Sequence, residues 1–403
     1  MTATVELVEH APATSHAIPD AVGRVLAGGR IAEASPDPYA PGRWLLRAGS
    51  KVGAITVTAP TTDEAVTIRI VPKVPIARLF FLLGYNLDPR GSWRDGQVDV
   101  AEHRDLLPAL AHAVERQIDR ALARGLLQGY RSTEATSQVV RGRIREADQI
   151  RRRFGATLPM EVTYDEFTTD IAENRILRAA VERLLRLPGV PQNVRRRLLH
   201  QRSRLSGVTA LPRGYALPAW QPSRLNARYH HALHLARAVL DGASADHAPG
   251  GLRCDGFLLD MNRLFEDFVT TALQEALRGT AFTGRLQDAH HLDEAATIRM
   301  KPDFVLYGTQ SAPVAVADAK YKAEKREGFP DADLYQMLAY CTALGLREGH
   351  LIYAKGNAPH AAHRVRHVGV VIHQHALNLD QKPAELLADI AAVGRQMCAG
   401  LPV

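Results

Sequence analysis

The sequence predicts a multidomain protein of mixed α/β and α+β class, β-rich at its N-terminus, helical through its middle, and built of strands and helices together at its C-terminus. Three observations carry this. Between Trp44 and Ile70, β-branched and apolar residues alternate in short runs broken by Gly and Pro, the period-two pattern of half-buried strands. From Ile76 to about residue 240, apolar residues instead recur every three or four positions, the period of a helix packed on one side. Beyond residue 251, helical stretches and a strand pair follow one another, the order of an α/β module.

Trp44-Leu45-Leu46-Arg47, Gly53-Ala54-Ile55-Thr56-Val57 and Ala65-Val66-Thr67-Ile68-Arg69-Ile70 read as strands, punctuated upstream by Gly28-Gly29, Pro36-Asp37-Pro38 and Pro41-Gly42. Strands so short and closely spaced are expected to form a small, barrel-like domain over residues 1–75. Ile76 to Gly84 and Asp105 to Leu127 read as helices. A further helix is expected from Thr168 to Leu187, carrying Ile171, Ile176, Leu177, Ala180, Val181 and Leu184, with Pro188-Gly189-Val190-Pro191 as its stop. At least two more helices fall within 192–240, so residues 76–250 are expected to be mainly helical. Asp241 to Gly251, rich in Gly, Ala, Asp and Ser, reads as a linker, and residues 251–403 form the third domain.

Composition narrows the class. The chain has 403 residues, enough for two or three domains, and its 46% hydrophobic content indicates packed cores rather than disorder. No apolar run approaches the roughly 18 residues of a membrane span, and Met1 to His10 lacks the basic and apolar segments of a secretory leader. Cys254, Cys341 and Cys398 are odd in number and far apart, forming neither a zinc pattern nor a disulfide framework, which suits a reducing cytoplasm. Histidine is abundant, but His230-His231 and His290-His291 are adjacent pairs without metal-ligand spacing. The net charge of +7 favours a polyanionic partner. Arginine concentrates at Arg141, Arg143 and Arg145, at Arg151, Arg152 and Arg153, and from Arg195 to Arg204. These clusters suit phosphate contact as well as they suit acidic patches on a protein partner.

The chemistry concentrates near the C-terminus. Lys301-Pro302-Asp303-Phe304-Val305-Leu306 and Val314-Ala315-Val316-Ala317-Asp318-Ala319-Lys320 read as two strands of a hairpin. Period-two alternation places Val314, Val316, Asp318 and Lys320 on one face and the alanines on the other. Carboxylates brought together on neighbouring strands repel, a hard divalent cation relieves the repulsion, and a lysine beside them can hold or deprotonate a water. That combination suits metal-dependent phosphodiester hydrolysis. Upstream, Phe257 to Leu277 reads as a helix with Leu258, Met261, Phe265, Phe268 and Val269 in one apolar stripe. Glu266, rather than Asp267, stands at the edge of that stripe as a third carboxylate. Downstream, Asp331 to Tyr340 reads as a helix with Asp331 or Asp333 in its first turn, and Gln336 and Tyr340 lie one turn apart on one face.

A helical Glu, then P-D, D-x-K and Q-x-x-x-Y, is the signature order of PD-(D/E)xK nucleases of the RecB-like branch. Met261 to Glu266, Lys301-Pro302-Asp303, Asp318-Ala319-Lys320-Tyr321-Lys322 and Asp333 to Tyr340 resemble the McrC family in particular, most closely over residues 252–375. Ile68 to Lys73 and Val140 to Ile144 resemble its upstream motifs. The resemblance implies a restriction-endonuclease-like C-terminal domain and a DNA endonuclease subunit of a McrBC-type defence system. It implies Mg²⁺, with Mn²⁺ as a substitute, held by Asp303, Asp318, Glu266 and the Ala319 carbonyl. Lys320 would serve the attacking water, while Gln336 and Tyr340 would orient Lys320 or the phosphate. It also implies a hexameric McrB-like AAA+ GTPase or ATPase that this chain stimulates, double-stranded modified DNA as substrate, and docking through the parts before residue 250. No G-x-x-x-x-G-K-[ST] phosphate loop occurs, so this chain is not expected to bind or hydrolyse a nucleotide. A stand-alone RecB-like nuclease and a nuclease-fold scaffold for a motor are the alternatives.

Overall fold

A computed structural model describes residues 3–28, 31–59, 64–87, 105–154, 156–212, 216–242, 253–323, 331–355 and 360–399, with 62 and 89. The side chains of Lys322 and Cys254 and most of the expected linker, from residue 243, lie outside the described residues. The chain divides into two compact units, one of residues 1–106 with 245–403 and the other of residues 107–244.

In the first unit, the strands Ala3–Val8, Ala65–Val71, Lys51–Thr58 and Arg253–Asp260 form one sheet in that order. Ala3–Val8 runs parallel to its neighbour and the other pairings are antiparallel. Alternation along Lys51–Thr58 and Ala65–Val71 buries Ile55, Val57, Val66, Ile68 and Ile70, as the period-two pattern requires, and Val52, out of step with them, is buried as well. Thr14–His16, Trp44–Arg47 and Glu33–Pro36 form a separate three-stranded sheet. The barrel expectation is therefore corrected. The described strands form open sheets, and the larger one is completed by a strand from beyond the linker rather than by closing on itself. That strand approaches closely. A Cβ on Gly53, whose φ is +131°, would stand 2.2 Å from the Phe257 carbonyl oxygen, so only glycine fits there.

The pairing also corrects the helix read from Phe257. Phe257 to Asp260 are extended against Lys51 to Ala54, and the helix is Met261–Ala276. Asp260 caps it by accepting from the Asn262 N–H at 3.0 Å. Leu258 consequently leaves the helical stripe, while Met261, Phe265, Phe268 and Val269 remain buried on it. This helix packs on a second sheet of six strands, in the order Thr283–Leu286, Phe304–Tyr307, Pro313–Ala323, Glu348–Lys355, Val371–Ala376 and His360–Arg364. Phe304–Tyr307 and Pro313–Ala323 make the expected antiparallel hairpin. The crossover from Pro313–Ala323 to its parallel neighbour Glu348–Lys355 carries the helix Asp331–Leu344. Met337, Tyr340 and Cys341 of that helix share a core with Val316, Leu351, Tyr353 and Ile372. The Val316 face of the strand is thus the face under this helix.

The two sheets of the unit meet at a buried carboxyl. Glu9, fully buried just after Ala3–Val8, accepts from the Lys73 N–H at 3.1 Å and from the Tyr321 hydroxyl at 3.2 Å. Burial pushes its carboxyl pKa up. Glu9→Ala should leave both donors unsatisfied and destabilise the protein by about 2 kcal/mol, while Glu9→Gln should cost less than half of that. Urea melts of the two variants check this. Equal losses would show that cavity formation, not the hydrogen bonds, sets the cost.

The second unit joins helices Ala172–Arg186, Gln192–Arg204 and His230–Asp241, and most of Leu106–Leu122, with a three-stranded antiparallel sheet. That sheet is an addition to a stretch whose described elements are otherwise helical. Gly129–Ser137 pairs along nine residues with Met160–Thr168, and Arg143–Ile144 flanks the latter. The helices are shorter than read: one ends at Leu122 rather than Leu127, ahead of Gly125 at a φ of +86°, and the other starts at Ala172 rather than Thr168, which belongs to the strand Met160–Thr168. Among the described residues, no helix is long and apolar enough to cross a membrane.

Candidate active site

The hairpin places Asp303 immediately ahead of Phe304–Tyr307, opposite the Asp318 end of its partner strand. The Asp303 Oδ2 accepts from the Ala319 N–H at 2.9 Å, which ties the carboxylate across the hairpin. Asp318 and Lys320 lie two apart on the Val316 face, as period two requires, and they form an ion pair. Glu266 projects from Met261–Ala276 into the same group. Its neighbour Asp267 turns outward, its side chain 55% exposed and only loosely paired with Arg263 at 3.9 Å.

Burial and crowding set the electrostatics. Asp303 and Asp318 are both buried. Desolvation first, and then the charges of Asp318 and Glu266, push the Asp303 pKa up to about 8. Desolvation also raises the Glu266 pKa. Burial works against the Lys320 ammonium, but the adjoining Asp318 carboxylate outweighs it and holds the pKa above the ordinary lysine value. Lys320 therefore stands protonated between Asp318 and Asp333. The latter, read from sequence as a first-turn acid, is itself buried and accepts from the Tyr353 hydroxyl at 3.0 Å. Tyr340 is buried beside this group and accepts from the exposed Gln336 at 2.7 Å, so the i and i+4 pair does meet. Desolvation and the nearby Asp318 raise the Tyr340 pKa.

Gln287 is a member of this group that sequence reasoning missed. It follows the strand Thr283–Leu286, whose register sets Leu286 against Phe304 and hence Gln287 beside Asp303. Its side-chain amide donates to Asp303 Oδ1 at 3.0 Å and to Glu266 Oε1. An isolated glutamine carries no motif, and only the pairing of distant strands could reveal it. As the side chains stand, no group of three or more His, Cys, Asp or Glu among the described residues is arranged to hold a metal ion. The Gln287 amide lies between two of the three acids.

The basic clusters sit in the second unit. Arg141 stacks over the Tyr164 ring at 4.2 Å, and Arg143 is exposed. The other four candidate arginines are engaged. Arg145 pairs with Glu134 at 2.9 Å and with Asp148, and Arg151 pairs with Asp148 at 2.7 Å. Arg153 and Arg152 reach the buried Glu161 at 2.9 and 3.5 Å. Close by in sequence, Tyr130, Ile150, Phe154 and Phe167 are exposed, and the rings of Tyr130 and Phe167 lie 5.1 Å apart.

A histidine-rich arrangement was also not foreseen. His350, His373 and His375 lie on adjacent parallel strands and His360 on the edge strand, with ring centroids 4.9 Å apart for His350 and His373. The spacing of these residues in the sequence hides their adjacency across the sheet.

Comparison with known proteins adds three findings. A family model described as "McrBC 5-methylcytosine restriction system component" matches residues 46–354. No curated protein matches. Among solved structures, the chain is similar to a refined half-complex from a tetradecameric assembly of Thermococcus gammatolerans McrB AAA+ hexamers with bound McrC. The TM-score is 0.56 at 18% identity, covering 98% of this chain and 100% of that one. It is also similar to the Thermococcus gammatolerans McrBC complex, at a TM-score of 0.40 and 19% identity over 68% of this chain and 88% of that one.

Proposed function

The chain belongs to the McrBC 5-methylcytosine restriction system component family, and from that premise we propose that it is the DNA-cleaving subunit of such a system, with a PD-(D/E)xK nuclease module around Asp303, Asp318 and Lys320. The observation that carries the reading is the convergence of three carboxylates and a lysine drawn from a helix, one strand and the residue just ahead of its hairpin partner. Asp303 is pushed to a pKa of about 8 by burial and by its acidic neighbours. Such crowding is costly unless a cation or protons relieve it.

The donor set fits a hard divalent cation, since Glu266, Asp303, Asp318 and the Ala319 carbonyl offer only oxygen. Mg²⁺, or Mn²⁺ in its place, would supply the Lewis acidity that draws charge from the phosphate. The chain's own residues do the rest. Protonated by its pairing with Asp318, Lys320 holds the attacking water by donation and offsets negative charge as it develops on the phosphate oxygens. Water adds to phosphorus as one P–O ester bond breaks, and the proton that the water gives up to solvent is balanced by the one that the departing oxygen takes from it. Tyr340, with Gln336 bonded to it, flanks Lys320 and orients it or the phosphate.

The partner follows from the family. We assign an McrB-like AAA+ hexamer, with this chain raising its nucleotide turnover and cutting modified double-stranded DNA. The exposed aromatic and apolar residues from Tyr130 to Phe167 suit a protein surface. Phosphate contact falls chiefly to Arg141 and Arg143, because the other four arginines already hold acids. The test is to combine the full chain with an McrB-like partner, modified DNA and nucleotide. Cleavage should appear with Mg²⁺, vanish in EDTA and return on adding Mg²⁺. The isolated chain should hydrolyse neither GTP nor ATP. Cutting that persists in EDTA would rule out the metal site, and turnover by the isolated chain would rule out the division of labour.

A further inference from the structure

Gln287 carries two features that a surface glutamine does not need. Its φ is +52°, in the left-handed region that a residue with a long side chain enters at a cost of about 1 kcal/mol or more. Its backbone N–H donates to the Asp303 carbonyl at 3.0 Å, which pins that conformation. The kinked backbone delivers the side chain to one place. There the carboxamide nitrogen donates to both Asp303 Oδ1 and Glu266 Oε1.

Those two oxygens come from different acids that repel each other when both are ionised. An amide N–H₂ is the neutral group that can satisfy both at once, since it offers two donors and a partial positive charge. It thereby does in the metal-free protein part of what a cation would do there. The same two oxygens cannot accept from the amide and bind a divalent cation on the same side together. Hydrogen bonds to charged groups are among the stronger ones, so this contact sets a threshold.

We propose that Gln287 is a built-in competitor for the divalent cation. Its carboxamide closes the Glu266–Asp303 pair while the metal is absent, and the cation enters only at a concentration sufficient to displace it. The inference rests on the metal reading above and adds to it a residue that governs metal occupancy. The contacts of Glu266 and Asp303 decide the sign. Removing the amide should tighten metal binding, whereas a residue needed only to build the site would weaken it when lost.

The experiment uses the full-length chain without partner or DNA, titrated calorimetrically with Mn²⁺ and with Mg²⁺, alongside thermal melts in EDTA. Gln287→Leu keeps the length and removes the donors. It should bind Mn²⁺ about ten-fold more tightly, the equivalent of one charge-assisted hydrogen bond, and melt lower in EDTA. Gln287→Lys places an ammonium between the acids. It should melt no lower than the parent in EDTA and take up no Mn²⁺. Gln287→Ala repeats the first arm with a smaller side chain, in case the leucine variant misfolds. Unchanged or weaker Mn²⁺ binding in a folded leucine or alanine variant would overturn the competitor role while leaving the metal site standing. Parent protein that binds neither Mn²⁺ nor Mg²⁺, or that binds them equally after Asp303→Asn, would overturn the metal reading and this inference with it.

Discussion

Lys320→Ala and Asp318→Asn are each expected to reduce Mg²⁺-dependent DNA cleavage at least 1,000-fold, on the order of 4 kcal/mol of transition-state stabilisation, without lowering stimulation of the AAA+ partner. The two side chains are an ion pair on one strand. Losing either removes the charge that holds the water or the carboxylate that keeps the lysine charged and in place. Folding should survive Asp318→Asn, because the substitution takes one negative charge away from the crowded Asp303. A carboxyl whose folded pKa is raised to about 8 binds its proton more tightly folded than unfolded. Its contribution to stability is therefore lost as pH rises from 4 to 8. Asp303→Asn should accordingly raise the melting temperature at pH 8 in EDTA while also eliminating cleavage. Coupled assays of cleavage and nucleotide turnover, with melts of each variant, check both halves. A Lys320→Ala protein that cuts at the parental rate would remove the lysine from the chemistry.

The second large effect is acid destabilisation through the buried histidines. His350 is fully buried, and its Nδ1 lies 3.1 Å from the His375 Nε2. Desolvation and then the neighbouring rings hold the His350 pKa well down and take His375 to about 3. Glu348 faces His373 at 3.5 Å, and Gln396 reaches both His360 and His373. Groups with a depressed folded pKa must lose stability as pH falls below the unfolded value of about 6.5, because the unfolded chain takes up the protons. At pH 5 this amounts to about 2 kcal/mol for each of His350 and His375. Asp303 and Glu266 act in the opposite sense over the same range, since their folded pKa values are raised. The clean measurement is therefore a difference. Urea melts at pH 7.5 and 5 should show the parent losing about 4 kcal/mol relative to a His350→Gln/His375→Gln double variant. Parallel pH dependences of the two proteins would show that these rings carry no proton linkage.

Much of the candidate site was legible because its chemistry is written in short, local spacings. Asp318 and Lys320 share a strand face by alternation alone, and Gln336 and Tyr340 share a helix face by the i, i+4 rule. Local pattern also distinguished Glu266 from Asp267, since only the former borders the apolar stripe. Residues whose place depends on pairing between distant strands were not legible. Gln287 meets Asp303 through the register of Leu286 with Phe304, and His350 meets His375 across neighbouring parallel strands. The polar strand Gly129–Ser137, with Thr, Ser, Arg and Glu at most positions, has no hydrophobic alternation to announce it and exists because Met160–Thr168 pairs with it.

The sequence by itself determined the family, singled out the acids and lysine proposed for the site, and marked the strands and helices whose apolar period is unambiguous, since these depend on residue type and spacing along one stretch of chain. The tertiary structure alone decided how those stretches combine. Read along the chain, residues 1–75 and 251–403 are separate domains with a helical region between them. In space, Arg253–Asp260 is an edge strand of the N-terminal sheet, the Ser50 carbonyl accepts from the Met261 N–H at the start of the Glu266 helix, and Glu9 holds Tyr321 beside Lys320. Backbone hydrogen bonds are satisfied by whichever strand reaches the open edge. Which strand that is depends on the path of the whole chain, and no local pattern records it.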